Sequence, residues 1–148
     1  MAEATLDNFT EVTQFLNETD IMTFEKDTQM IDIIKTILEK PRTHQDTGFF
    51  IADLSTIITQ YKLWVELLPK VKPFYAVKCN PEQTLLKWIK EKGGRFDCAS
   101  SREMYAVKDI YKEWTPNNVI FANPCKTPND IQTGRYLKVP IVTADSCE

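Results

Sequence analysis

Four short apolar segments end at Cys79, Ala99, Ala122 and Thr143, spaced 20, 23 and 21 residues apart, and this beat restricts the fold more than any other property. Each interval holds one helix-forming stretch, so strand and helix alternate. Parallel strands joined through helices are covered on both faces and read as continuous apolar runs. Right-handed crossovers leave two outcomes, an open doubly wound sheet or a (β/α) barrel. A complete eight-stranded barrel takes ~250 residues. The 148 residues here supply four regular units after Pro73.

The pattern predicts strands at 49–52, 73–79, 95–99, 119–122 and 139–143. It predicts helices from Asp53 or Ser55 to Leu68, then over 81–92, 101–114 and 128–137. The first of these helices carries Ile57, Ile58, Tyr61, Trp64, Val65 and Leu68 on one broad apolar face. Asn80-Pro81 and Thr127-Pro128 each put a capping residue before a proline at the first helical position, where its missing N–H costs nothing. Ser100 and Glu103 have the spacing of a capping box. Gly93-Gly94 closes the 81–92 helix.

Residues 1–47 form a lead-in segment, with helical spacing over 9–16 and 30–38 and Asp27 as the N-cap of the second helix. A polar linker punctuated by Pro41 and Gly48 joins it to residues 48–148. With 43% apolar and 26% charged residues, the composition is that of a globular protein. The longest apolar runs fall far short of the ~20 residues of a membrane span. Met1-Ala-Glu-Ala-Thr is acidic and polar where a signal peptide is basic and then apolar, so the expected location is cytoplasmic. A net charge of −3 without a basic stripe excludes a nucleic-acid interface from the expected functions. Cys79, Cys98, Cys125 and Cys147 contain no Cys-x-x-Cys pair and the sole histidine is His44. No metal site is expected, and the thiols read as reduced small hydrophobes.

The segment Pro73-Phe-Tyr-Ala-Val-Lys-Cys-Asn80 carries the chemistry. Strand alternation would set Phe74, Ala76 and Lys78 on one side and Tyr75, Val77 and Cys79 on the other. Lys78 is its only charge and lies at the C-terminal end, where α/β folds gather their sites. A strand-end lysine commonly snorkels to water. It can also be a Schiff-base lysine, which attacks an aldehyde once deprotonated. Asp97 ends the next strand, either as a carboxylate favoured by the following helix dipole or as a counter-charge for Lys78.

Tyr75-Ala-Val-Lys-Cys-Asn80, followed by Phe96-Asp-Cys-Ala-Ser100, closely resembles the eukaryotic ornithine decarboxylases. The likeness extends from Phe50 to Ser146 through Ala52-Asp-Leu54, Trp64, Leu67-Leu-Pro69 and Ala122-Asn-Pro-Cys-Lys126. It implies a fold, the N-terminal portion of an α/β (β/α)8 TIM barrel with about half its strands. It implies a lyase of polyamine biosynthesis that decarboxylates L-ornithine to putrescine with pyridoxal 5'-phosphate. Lys78 would hold the cofactor covalently, Asp97 would lie beside that lysine, and Glu103 matches a further acidic position nearby.

The resemblance also implies a homodimer in the full-length form. The family's histidine over the cofactor ring, glycine-rich phosphate loop and ring-nitrogen glutamate have no counterpart among these residues. The chain therefore resembles the N-terminal part of such an enzyme and is expected to be inactive alone. Antizyme inhibitors, non-catalytic relatives with the same fold, are the alternative. They typically lose the aspartate found here as Asp97. Antizyme is a candidate partner through residues 131–145, although Gly134-Arg-Tyr-Leu-Lys138 departs from the animal pattern.

Overall fold

The structure, a computed structural model, describes residues 21–25, 27–39 and 48–146. The helix expected over 9–16, His44, most of the polar linker and Cys147 lie outside the described residues. The chain divides into two units, Met1–Ala52 and Asp53–Glu148. In the first, helix α1 spans Met30–Leu38 and buries none of its side chains. Its N-cap is Gln29 rather than Asp27, and no side chain completes the cap. The strand expected at 49–52 is absent: residues 48–53 carry no regular secondary structure, and Phe50 is fully exposed. An apolar run becomes a strand only where a neighbouring strand takes its N–H and C=O groups.

The second unit runs α2 (Leu54–Leu67), β1 (Phe74–Ala76), α3 (Gln83–Glu91), β2 (Arg95–Cys98), α4 (Ser101–Asp109), β3 (Val119–Phe121), α5 (Pro128–Tyr136) and β4 (Ile141–Val142). Single 3-10 turns at Val77–Cys79 and Pro116–Asn118 interrupt the sequence of elements. All strand pairs are parallel, and the sheet order is β1-β2-β3-β4. A doubly wound sheet reverses its order at a switch point. Strictly sequential order has no such point, so the chain takes the barrel-type outcome. Crossovers of one hand then lay successive helices against the same face.

Burial follows that geometry. Phe96, Cys98, Val119 and Phe121 from β2 and β3 are buried together with Leu86 of α3 and Met104 and Val107 of α4. Each large side chain so buried contributes ~1.5–3 kcal/mol. The alternate positions form a second row on the opposite face, where ladder register aligns Ala76, Asp97, Ile120 and Ile141.

The helix boundaries follow local chemistry. Asp53 caps α2 by accepting from the Ser55 N–H at 2.9 Å. α3 starts at Gln83, two residues later than expected. Glu82 provides the cap there, accepting from the Leu85 N–H at 2.8 Å, while Asn80 Oδ1 accepts from the Glu82 N–H in the preceding turn. At the other end of α3, Gly93 adopts a φ of 75°. Its N–H donates to Lys90 O and that of Gly94 to Ile89 O, the paired bonds of a Schellman close. α4 ends at Asp109 rather than reaching Trp114. Trp114 instead donates its indole N–H to Leu137 O at 2.7 Å and packs edge-on against Tyr111. α5 begins at Pro128 as expected, with a complete capping box between Thr127 and Asp130. No helix of the described residues is long and apolar enough to cross a membrane.

Candidate functional site

The extended backbone of β1 stops at Ala76, and Val77–Cys79 form a 3-10 turn. The two-sided alternation expected through Cys79 therefore ends early. Val77 is buried, whereas Lys78 and Cys79 are exposed. Lys78 stands just past the carboxyl end of its strand, on the sheet rim that carries the sites of α/β folds. It forms no hydrogen bond or ion pair with any described residue, which leaves its amine accessible. The turn is braced by the Tyr75 hydroxyl, which donates to Asn80 O at 3.2 Å. Burial pushes the Tyr75 hydroxyl pKa up, with the nearby Cys79 adding to it, so the phenol stays a donor.

Asp97 pairs with Ala76 in the ladder and lies within electrostatic reach of both Lys78 and Glu103. Burial pushes its carboxyl pKa up; Lys78 opposes that, and the Glu103 carboxylate reinforces it. Both sequence-predicted residues thus meet at one rim, with Glu103 as a third member. Glu103 also has a structural task. Its backbone N–H donates to Ser100 Oγ at 3.3 Å, while its own carboxylate accepts from the Ala99 N–H at 2.7 Å. The expected box with Ser100 is therefore half made, because the glutamate reaches one residue further back.

Cys98 sits behind this rim, fully buried. Burial, followed by the charges of Glu103 and Asp97, pushes its thiol far above the ordinary range. A thiol held neutral in this way is a packing group rather than a nucleophile.

The loop after β3 is structural. Asn123 donates from Nδ2 to Ala99 O and accepts at Oδ1 from the Cys125 N–H, both at 3.1 Å. Lys126 donates to Asn123 O and Thr143 O and lies over the Phe121 ring. It therefore bridges the ends of β3 and β4 and is committed to holding them. Among the described residues, no cluster of three or more His, Cys, Asp or Glu side chains could hold a metal ion.

The rim therefore holds a lysine and two acidic groups at the carboxyl end of a sequential parallel sheet. Residues 54–148 match the family described as "Pyridoxal-dependent decarboxylase, pyridoxal binding domain". The chain belongs to this family. Among its relatives, a "Probable ornithine decarboxylase" of Dictyostelium discoideum is 39% identical over 115 residues, which are 78% of this chain and 24% of that protein. "Antizyme inhibitor 2" of Xenopus laevis is 35% identical over 133 residues, 89% of this chain and 29% of that protein. In structure, the arginine decarboxylase of Paramecium bursaria Chlorella virus superposes with a TM-score of 0.70 at 36% identity, covering 79% of this chain and 30% of that one.

The chain thus spans about a quarter to a third of the length of these relatives. Its four parallel strands correspond to the N-terminal part of the decarboxylase barrel, as the resemblance implied. The family's cofactor is pyridoxal phosphate. The rim suits the aldehyde end of that group, since Lys78 offers an accessible amine with Asp97 alongside. The four glycines, Gly48, Gly93, Gly94 and Gly134, are too scattered to form a glycine-rich cradle for its phosphate.

Proposed function

We propose that Lys78 is the residue through which this chain holds pyridoxal phosphate, and that the reaction served is decarboxylation of L-ornithine to putrescine. The supporting observation is an accessible lysine at the carboxyl end of β1 with Asp97 within electrostatic reach of it, and Glu103 within reach of Asp97, in a chain of the decarboxylase family. Pyridoxal phosphate, when bound, supplies the electron sink that makes loss of an α-carboxylate feasible. Lys78 brings an amine on a four-carbon stem, and Nζ becomes nucleophilic once it sheds a proton. Asp97 provides a compensating charge next to Nζ. The brace between Tyr75 and Asn80 fixes the turn from which the Lys78 stem projects.

Ornithine is the favoured substrate because the sequence likeness is to ornithine decarboxylases, with arginine as the competitor raised by the viral structure. A regulatory protein similar to antizyme inhibitors is the second reading, favoured by the match to the Xenopus protein. The presence of Asp97 weighs for the catalytic reading.

Treatment of the chain with pyridoxal phosphate, borohydride reduction and peptide mapping tests the assignment. We expect the label to concentrate on Lys78 and to vanish from that peptide in Lys78→Ala. Label spread evenly over surface lysines, unchanged in total by Lys78→Ala, would overturn it.

A further inference from the structure

The rim that carries Asp97 is held partly from the neighbouring strand. Ala99, which joins β2 to α4, is gripped on both sides of its Cα. Its N–H donates to Glu103 Oε2 at 2.7 Å, and its carbonyl oxygen accepts from Asn123 Nδ2 at 3.1 Å. The preceding Cys98 carbonyl accepts from the Ala122 N–H at 2.8 Å. Two of these three bonds arrive from the end of β3, and only the one from Asn123 depends on a side chain. Asn123 Oδ1 accepts from the Cys125 N–H, which aims the amide nitrogen at Ala99. A turn of that kind needs an acceptor alone, which a serine also supplies. The donor toward Ala99, 24 residues away, is what asparagine adds.

Ala99 in turn holds a charge. The Glu103 carboxylate rests on the Ala99 N–H, while the Glu103 N–H donates to Ser100 Oγ, so its place follows the backbone at 99–100. Few other charges face Asp97. Lys78 acts on it from the turn after β1 and Glu103 from α4. β3 presents Ile120 at the paired position, and burial keeps the adjoining Cys98 thiol neutral. On its own strand, Arg95 lies over the Phe74 ring. In the loop after β3, the Lys126 amine is taken up by the carbonyls of Asn123 and Thr143. A like charge disfavours ionisation and an opposite one favours it, so the position of Glu103 sets the balance at Asp97.

We propose that Asn123 is a positioning residue for the rim: by clamping Ala99 it keeps the Glu103 carboxylate within reach of Asp97, the acid that faces Lys78. That this arrangement serves the Lys78 amine rests on the function proposed above, whereas the coupling of Asn123 to Asp97 does not.

Carbon-13 NMR titration of the Asp97 carboxyl in the 148-residue chain tests the coupling, with Asn123→Ser, Glu103→Gln and the double variant. Serine keeps an acceptor for the Cys125 N–H and is too short to reach Ala99. Glutamine keeps an acceptor for the Ala99 N–H and drops the charge. The Asp97 midpoint is expected to move to lower pH in both single variants, since the like charge is withdrawn or removed. The double variant is expected to move no further than Glu103→Gln, because both changes act through one carboxylate. Asn123→Thr replaces Asn123→Ser should circular dichroism show that the serine variant does not fold. An unmoved midpoint in Asn123→Ser, or a double variant that shifts by both single effects together, would overturn the proposal. Labelling of the same proteins with pyridoxal phosphate and borohydride separates the two premises. A shifted midpoint without preferential label on Lys78 would support the clamp and overturn the reading of Lys78. Preferential label on Lys78 with an unmoved midpoint would do the reverse.

Discussion

Asp130 Oδ1 accepts two hydrogen bonds from Ser101, one from its N–H at 2.8 Å and one from its hydroxyl at 2.6 Å, across 29 residues of chain. Its other oxygen accepts from the Thr127 hydroxyl and N–H. One carboxylate therefore caps the starts of two successive helices, α4 and α5, and ties together the loops that follow β2 and β3. The Ser101 and Thr127 donors hold the Asp130 pKa down at about 2, from an ordinary 3.8.

A carboxyl whose folded pKa is depressed stabilises the fold above its unfolded pKa and loses that contribution as pH falls through the folded value. Stability should therefore decline between about pH 4 and pH 2, and Asp130→Asn should flatten that part of the profile. Asp130→Ala should cost about 1–2 kcal/mol at neutral pH, allowing for the partial exposure of these bonds. Urea unfolding at several pH values reads both effects. A slope unchanged in Asp130→Asn would contradict the assignment.

Asp97 has the opposite sign. Burial and Glu103 raise its carboxyl pKa above 3.8 despite Lys78. Ionising it therefore works against the fold as pH rises above roughly 4. Asp97→Asn should leave the chain as stable or more stable at neutral pH. The same variant should lower labelling of Lys78 by pyridoxal phosphate and borohydride several-fold. A change that improves folding while weakening the site is the signature of a residue retained for chemistry. Thermal melting alongside the labelling assay separates the two effects, and a clear loss of stability would argue that Asp97 is structural.

Gly94 sits where no side chain fits. A Cβ there would lie 2.5 Å from Ile89 Cγ2 and 2.9 Å from the Ile89 carbonyl oxygen. Gly94→Ala should therefore destabilise the chain by about 1–3 kcal/mol. Gly93→Ala, where φ is 75°, has open space around it and should cost only the ~1–2 kcal/mol of left-handed backbone. Denaturation midpoints of the two variants should rank accordingly, and a reversed order would show that conformation outweighs contact at this turn.

The sequence revealed most where a residue acts on its immediate neighbours. Thr127-Pro128 and Asp53 start their helices as their chemistry dictates, and Gly93-Gly94 ends α3. Cues with two outlets were misleading. Asn80-Pro81 satisfies a turn before the helix, and Glu103 reaches past Ser100 to Ala99. Position and motif singled out Lys78 and Asp97 as candidates, but the tightening of the chain after Ala76 was hidden, because Val77 is as good in a strand as in a buried turn. The bonds that Ser101 donates to Asp130 could not be anticipated, since only the ladder brings β2 and β3 side by side. Trp114 left its helix for the same kind of reason, a distant carbonyl at Leu137.

The in-order sheet has a consequence for how such a polypeptide acquires its shape. Every strand after β1 is laid against one emitted about twenty residues earlier, so each pairing closes a modest loop whose length hardly changes along the chain. A ribosome releasing this sequence from its amino end would present each new segment to a template already standing, and accretion would run in the direction of synthesis.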